Sequence, residues 1–271
     1  MKNHFIISYT GNKRQEVETI YKNLDFKNIT TIIEPFCGSC ALSYYISTIH
    51  PKKYKYILND LDKYLIELIN LMKDENKYLE FITKTINLCF DDDNNFISKE
   101  KYNIIVKQDN LESYFISRKF YTIRCGLYPL KMVFNDAGPD YYIDKLLKTP
   151  FINFVRTEDI IITNTDGIET YNKYKNDKQN LIFLDPPYMV SCNDMYNHKG
   201  INIYEFLYNN PISKEKAKIY LCLENMWIIK LLFQNYKFIE YNKRYEISKK
   251  DTSHILIENI FTQFLNWSCK S

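Results

Sequence analysis

Leu181-Ile182-Phe183-Leu184-Asp185-Pro186-Pro187-Tyr188 is an apolar run that stops on an acid, two prolines and an aromatic ring. Four consecutive large apolar residues, with no polar alternation, predict a short strand buried on both faces, as in a parallel sheet. Asp185 then lands at the carboxyl edge of that sheet, where open α/β folds bind their ligands. Pro186 and Pro187 hold the backbone extended and free nearby carbonyls from secondary structure. As plain architecture, the same stretch is a strand closed by a proline turn with Tyr188 in the core.

The chemistry that suits this set is methylation of a planar exocyclic amine. Such an amine is a poor nucleophile because its lone pair is delocalised into the ring. A carboxylate oxygen of Asp185 and the carbonyl of Pro186, accepting its two hydrogens, would turn the lone pair toward an electrophile. The face of Tyr188 would hold the ring flat meanwhile.

Strands and helices alternate on either side of this stretch. Thr31 to Glu34 reads as a first strand closed by Pro35, followed by the loop Phe36-Cys37-Gly38-Ser39-Cys40 and a helix to about Ile49. Tyr54 to Leu58 reads as a second strand ending at Asn59-Asp60, with a helix over about Lys63 to Lys73. A strand at Ile160–Ile162 and a helix around Glu169–Tyr174 precede the strand before Asp185. Ala217–Leu223, Met226–Phe233, Phe238–Tyr241 and Ile255–Ile260 complete the pattern as strand, helix and two strands. Repeated β-α units predict a mostly parallel, doubly wound sheet. Residues 76–156 break the rhythm with helical pieces and turn signals at Gly126, Pro129 and Gly138-Pro139. They read as an inserted subdomain, leaving 1–75 and 157–271 as the core.

The loop Phe36–Cys40 follows a strand and opens a helix, where backbone amides can face a nucleotide-like ligand. Asp60, about 20 residues on, stands where a carboxylate accepts both ribose hydroxyls of an adenosine. The alternative is that Asp60 and Asp62 cap the next helix. Cys37 and Cys40 also form a C-x-x-C between strand and helix, a redox arrangement that predicts a low-pKa thiol. A zinc site is not expected: there is no second C-x-x-C, and His4, His50, His198 and His254 are scattered.

Composition bounds the rest. A chain of 271 residues can bury a sizeable core. No apolar stretch approaches the roughly 18–20 residues of a membrane span, and Met1–Ile7 lacks the features of a signal peptide. Seven cysteines, without the spacing of a disulfide framework, point to a reducing, cytoplasmic setting. A net charge of +3 permits a nucleic-acid partner through a local patch without demanding one.

These motifs, in this order, resemble the Dam-like DNA adenine methyltransferases of the T-even phage type. Tyr9-Thr10-Gly11-Asn12-Lys13 is similar to that group's N-terminal cofactor motif, and Glu34-Pro35-Phe36-Cys37-Gly38 to its first-strand motif. Asn59-Asp60 matches its second-strand acid, and Asp185-Pro186-Pro187-Tyr188 its catalytic motif. The resemblance implies an α/β fold: a Rossmann-like, doubly wound S-adenosylmethionine-dependent methyltransferase core with an inserted, mainly helical target-recognition subdomain. It implies an enzyme that methylates the exocyclic amine of adenine in a short sequence of double-stranded DNA, with the base flipped out of the duplex. Setting and source follow in the same way: an intracellular protein, in the host cytoplasm if the source is a phage or virus.

Residue by residue, Tyr9 and Lys13 would contact the methionine end of S-adenosylmethionine, Phe36 and Gly38 would shape the loop beneath it, and Asp60 would hold the ribose. Asp166 would lie near the cofactor adenine, although its strand-end position equally suits a helix cap. Asp185 and Pro186 would bind the target amine next to the cofactor, supported by Pro187, with Tyr188 stacked on the base. In the insertion, Arg118, Lys119, Arg124 and Lys131 would hold DNA, with Asn135 in the stretch that stands for the family's recognition hairpin. That hairpin is only faintly represented by Phe134–Gly138, and Cys40 stands where many relatives have a small Gly or Ala. The residues leave open methylation of RNA adenine, of a DNA cytosine amine, or a catalytically silent nucleic-acid scaffold.

Overall fold

A computed structural model of the chain describes residues 5–8, 13–120, 138–187, 203–209, 212–244 and 251–261. It divides into two compact units, residues 15–61 with 159–271, and residues 1–14 with 62–158.

The first unit holds a seven-stranded sheet made of β1 (Thr31–Glu34), β2 (Lys55–Asn59), β3 (Asp159–Thr163), β4 (Asn180–Leu184), β5 (Lys218–Glu224), β6 (Tyr236–Arg244) and β7 (Asp251–Phe261). Their order across the sheet is β3-β2-β1-β4-β5-β7-β6. The first five are parallel, and β7 runs antiparallel to both β5 and β6. β4 is buried at all five positions, because a central parallel strand is covered on both faces. One face of the sheet carries Ile33, Ile182, Leu221 and Ile255, and the helices Gly167–Tyr174 and Trp227–Leu232 pack there through Tyr171 and Ile229. The strand order reverses between β1 and β4, so the crevice expected at such a switch point lies between the loops that leave these two strands.

On the amino side of this unit, α1 spans Val17–Lys22 and α2 spans Ala41–Ile49. The second unit is helical among its described residues: α3 (Lys63–Leu71), α4 (Glu75–Asn87), α5 (Lys99–Ile105), α6 (Leu111–Lys119), α7 (Pro139–Leu147) and α8 (Pro150–Thr157). Side-chain oxygens of Asp62, Asp74, Ser98 and Asn110 cap α3 to α6 by accepting a backbone N–H of the first turn. Proline opens α7 and α8, where its missing donor costs nothing. Among the described residues no helix is long and apolar enough to cross a membrane.

Candidate active site

The site assembles at the carboxyl ends of β1, β2 and β4. After β1 the loop turns tightly, with Cys40 N–H donating to Cys37 O at 2.7 Å and Cys37 N–H donating to Asn59 O at 2.8 Å. Gly38 has φ 48° and Cys40 φ 53°. Glycine takes this left-handed backbone freely, whereas a Cβ resists it by roughly 1–2 kcal/mol. Cys40, the departure noted in the sequence, therefore carries strain at the start of α2.

Asp60 and Asp62, which the sequence could not separate, take different roles. Asp62 Oδ1 caps α3 by accepting from Leu65 N–H at 3.2 Å. Asp60 Oδ2 instead accepts from Gly38 N–H at 2.9 Å, so this carboxylate faces the glycine loop. Asp166 Oδ1 accepts from Ile168 N–H at 2.7 Å, capping the helix that begins at Gly167. Gly167 is required at that point because a Cβ there would lie 2.4 Å from the Phe36 ring.

Asn59 ties these loops together, and sequence reading gave it no more than a place beside Asp60. It is fully buried. Its Nδ2 donates to Pro35 O and to Thr165 O, both at 2.9 Å. Its Oδ1 accepts from Thr163 Oγ1 at 2.8 Å and from Thr165 N–H at 3.0 Å. One amide thus locks the exits of β1, β2 and β3 to one another. Alone, a polar residue ending an apolar strand hints at this role; its partners appear only in the fold.

Asp185 is half-buried at the end of β4, Pro186 is buried and Pro187 exposed. Glu34, at the end of β1, is 3% exposed and accepts hydrogen bonds from Ser43 N–H at 2.9 Å and from Ser43 Oγ. Burial chiefly, with a smaller push from the nearby Asp185, raises its carboxyl to about 7. The paired strand ends therefore bring two acids together, one in the open site and one beneath it. Cys37 and Cys40 are buried, and burial pushes both thiols up rather than down. This is contrary to the low-pKa thiol that a redox C-x-x-C requires.

The donor set on β1 and β2 suits a nucleoside cofactor: a strand-end carboxylate, loop amides opening a helix, and an aromatic ring packed on glycine. Lys13 is buried in the second unit. There too, Arg118 lies over the Tyr114 ring at 4.5 Å and pairs with Asp62 at 3.5 Å. Burial, with Lys145 second, pushes the Lys119 amine down to about 8. Tyr9, Arg124, Lys131, Asn135 and Tyr188 lie outside the described residues.

Comparison with known proteins bears on the family of the chain. The chain is similar to the type II methyltransferase M.CviBI of Paramecium bursaria Chlorella virus NC1A, with 23% identity over 274 residues, 94% of this chain and 98% of that protein. Among solved structures, the human methyltransferase 10 domain containing protein aligns with 8% identity and a TM-score of 0.39, covering 91% of this chain and 80% of that one. The N-terminal domain of human METTL16 in complex with SAH aligns with 8% identity and a TM-score of 0.35, covering 90% and 67% respectively. The model of the D12 class N6 adenine-specific DNA methyltransferases matches residues 9–247. The chain belongs to that family, and so is an enzyme that methylates adenine in DNA with S-adenosylmethionine as methyl donor.

Proposed function

We propose that the chain methylates adenine within a short recognition sequence of double-stranded DNA, after the base has left the duplex. When bound, S-adenosylmethionine supplies a methyl group activated on its sulfonium sulfur. Asp60 holds the ribose, while Phe36 and Gly38 form the floor and Asp166 edges the adenine side. Tyr9 and Lys13 receive the methionine end. Asp185 and the Pro186 carbonyl accept the two hydrogens of the target amine, Pro187 keeps the turn rigid, and Tyr188 stacks on the base. Transfer from sulfur to nitrogen is an in-line displacement, so alignment and a fixed electrostatic setting give most of the acceleration. Extruding the base costs on the order of a few kcal/mol.

In the same reading, residues 1–75 and 157–271 carry catalysis and residues 76–156 carry target recognition. Arg118, Lys119, Arg124 and Lys131 serve as phosphate contacts, and Asn135 reads a base edge. The protein works inside a cell, in the host cytoplasm if its source is viral like its chlorella-virus relative. The observation that carries the reading is the placement of Asp185 at the end of fully buried β4, beside the β1 loop whose Gly38 is held by Asp60. The test is transfer of labelled methyl to unmethylated duplex DNA, single-stranded DNA and RNA, with nucleoside analysis. N6-methyladenine made fastest in the duplex supports the reading. Label confined to RNA or to cytosine overturns it.

A further inference from the structure

Behind Asp185 lies a buried polar cluster that the transfer chemistry above does not use. Glu16 precedes α1, Cys222 lies on β5, Tyr241 on β6 and His254 on β7. His254 Nδ1 and Glu16 Oε2 are 2.7 Å apart, with both residues nearly inaccessible. Tyr241 Oη is 3.1 Å from Cys222 Sγ. The pairing explains the reach. Tyr241 is the ladder partner of His254, and β7 separates β6 from β5. The phenol therefore lies across β7, edge-on to the His254 ring with centroids 5.8 Å apart, and delivers its hydroxyl to β5.

Cys222, which that hydroxyl meets, lies near the end of β5, on the strand next to β4. Leu184 pairs with Leu221 in the last rung of the β4–β5 ladder; the same register carried one residue past β4 sets Asp185 opposite Cys222, about one strand spacing of 4.8 Å away. Burial, then Cys222, Glu16 and Asp185, push the Tyr241 phenol far up, so it stays a protonated donor at any working pH. A metal ion is the competing use of the cluster, since Glu16, Cys222 and His254 each offer a ligand atom within 4.8 Å of the others. That use would leave three protein ligands where a structural zinc site takes four.

We infer that Tyr241 is a positioning residue for methyl transfer. Its hydroxyl, held over β7 by Cys222 and by the His254–Glu16 pair, orients the Asp185 carboxylate that receives the target amine. The inference rests on the catalytic reading of Asp185 given above.

The experiment compares the full-length protein with Tyr241→Phe, Cys222→Ala and Asp185→Ala. It measures the single-turnover methylation rate, cofactor Kd and thermal midpoint, together with the zinc content of the purified protein. Tyr241→Phe should slow transfer about ten- to hundredfold, the worth of a hydrogen bond to a charged group, with cofactor Kd and midpoint unchanged. Cys222→Ala should slow it in the same direction by less. A wild-type rate for Tyr241→Phe, with Asp185→Ala inactive, overturns this inference and leaves the catalytic reading standing. A wild-type rate for Asp185→Ala overturns both. Slowing matched by equal loss of cofactor affinity and of midpoint makes Tyr241 purely structural. Stoichiometric zinc that disappears in Cys222→Ala makes the cluster a metal site instead, and also overturns the inference.

Discussion

Glu34→Gln isolates the buried acid beneath the site. Glu34 is 3% exposed, and its carboxyl rises from 4.5 to about 7, mainly through burial. Each tenfold change in proton affinity is worth about 1.4 kcal/mol, so this rise corresponds to about 3 kcal/mol of linkage. The folded protein holds the proton more tightly than the unfolded chain. The contribution is therefore fully present below pH 4.5 and is lost as pH rises through about 7. Glutamine keeps an acceptor for Ser43 N–H and Oγ but cannot ionise. Urea unfolding of both proteins at intervals from pH 4.5 to 8 reads the effect as a difference, so titrations common to both cancel. The variant should gain on the wild type by about 3 kcal/mol across that range, with most of the change between pH 5 and 7. A difference that stays flat to within about 0.5 kcal/mol would show that Glu34 titrates normally and that the end of β1 is wetter than its burial implies.

Three other perturbations test neighbouring parts. Asp185→Ala should abolish transfer while changing stability little, because the residue is half-buried at a strand end; a parallel urea curve and a methylation assay separate the two effects. Asp60→Ala removes the acceptor of Gly38 N–H and the proposed ribose contact. Calorimetry should show cofactor binding weakened about tenfold or more, and unchanged affinity would limit Asp60 to holding the loop. Lys119, with its amine pushed down to about 8, loses charge as pH rises from 7 to 9, so affinity for DNA should fall over that range. Lys119→Arg should flatten the profile, and equal slopes for both proteins would take Lys119 out of the DNA contact.

The strands of the core are legible because each is a short apolar run bounded by turn residues. Thr31–Glu34 is read to the residue, and the run before Asp185 is a strand buried throughout. What escapes the sequence is whatever depends on pairing between distant segments. Nothing local shows that β7 inserts antiparallel between β5 and β6, so the meeting of Glu16, Cys222, Tyr241 and His254 cannot be read from positions 16, 222, 241 and 254. His254 looks like one of four scattered histidines until the sheet closes. Asp60 and Asp62 show a different limit. Both are acids before a helix, and only the backbone path decides that one caps α3 while the other turns to Gly38. Helix α1 (Val17–Lys22), too short for a clear period, went unread.

Asn59 also bears on how the molecule ages. Asparagine deamidates when the backbone nitrogen of the following residue attacks its side-chain amide. Here Nδ2 is held by two carbonyls, and the Asp60 N–H donates to Thr163 O at 3.4 Å. The bonds that fasten three loops thus keep nucleophile and electrophile apart, and the protein is guarded against this decay while it stays folded. After local unfolding the reaction would leave a carboxylate facing the carbonyls of Pro35 and Thr165, with no hydrogen to offer either. Chemical damage at this one position would therefore be inherited by every later refolding attempt, and the cofactor loops would lose their common anchor first.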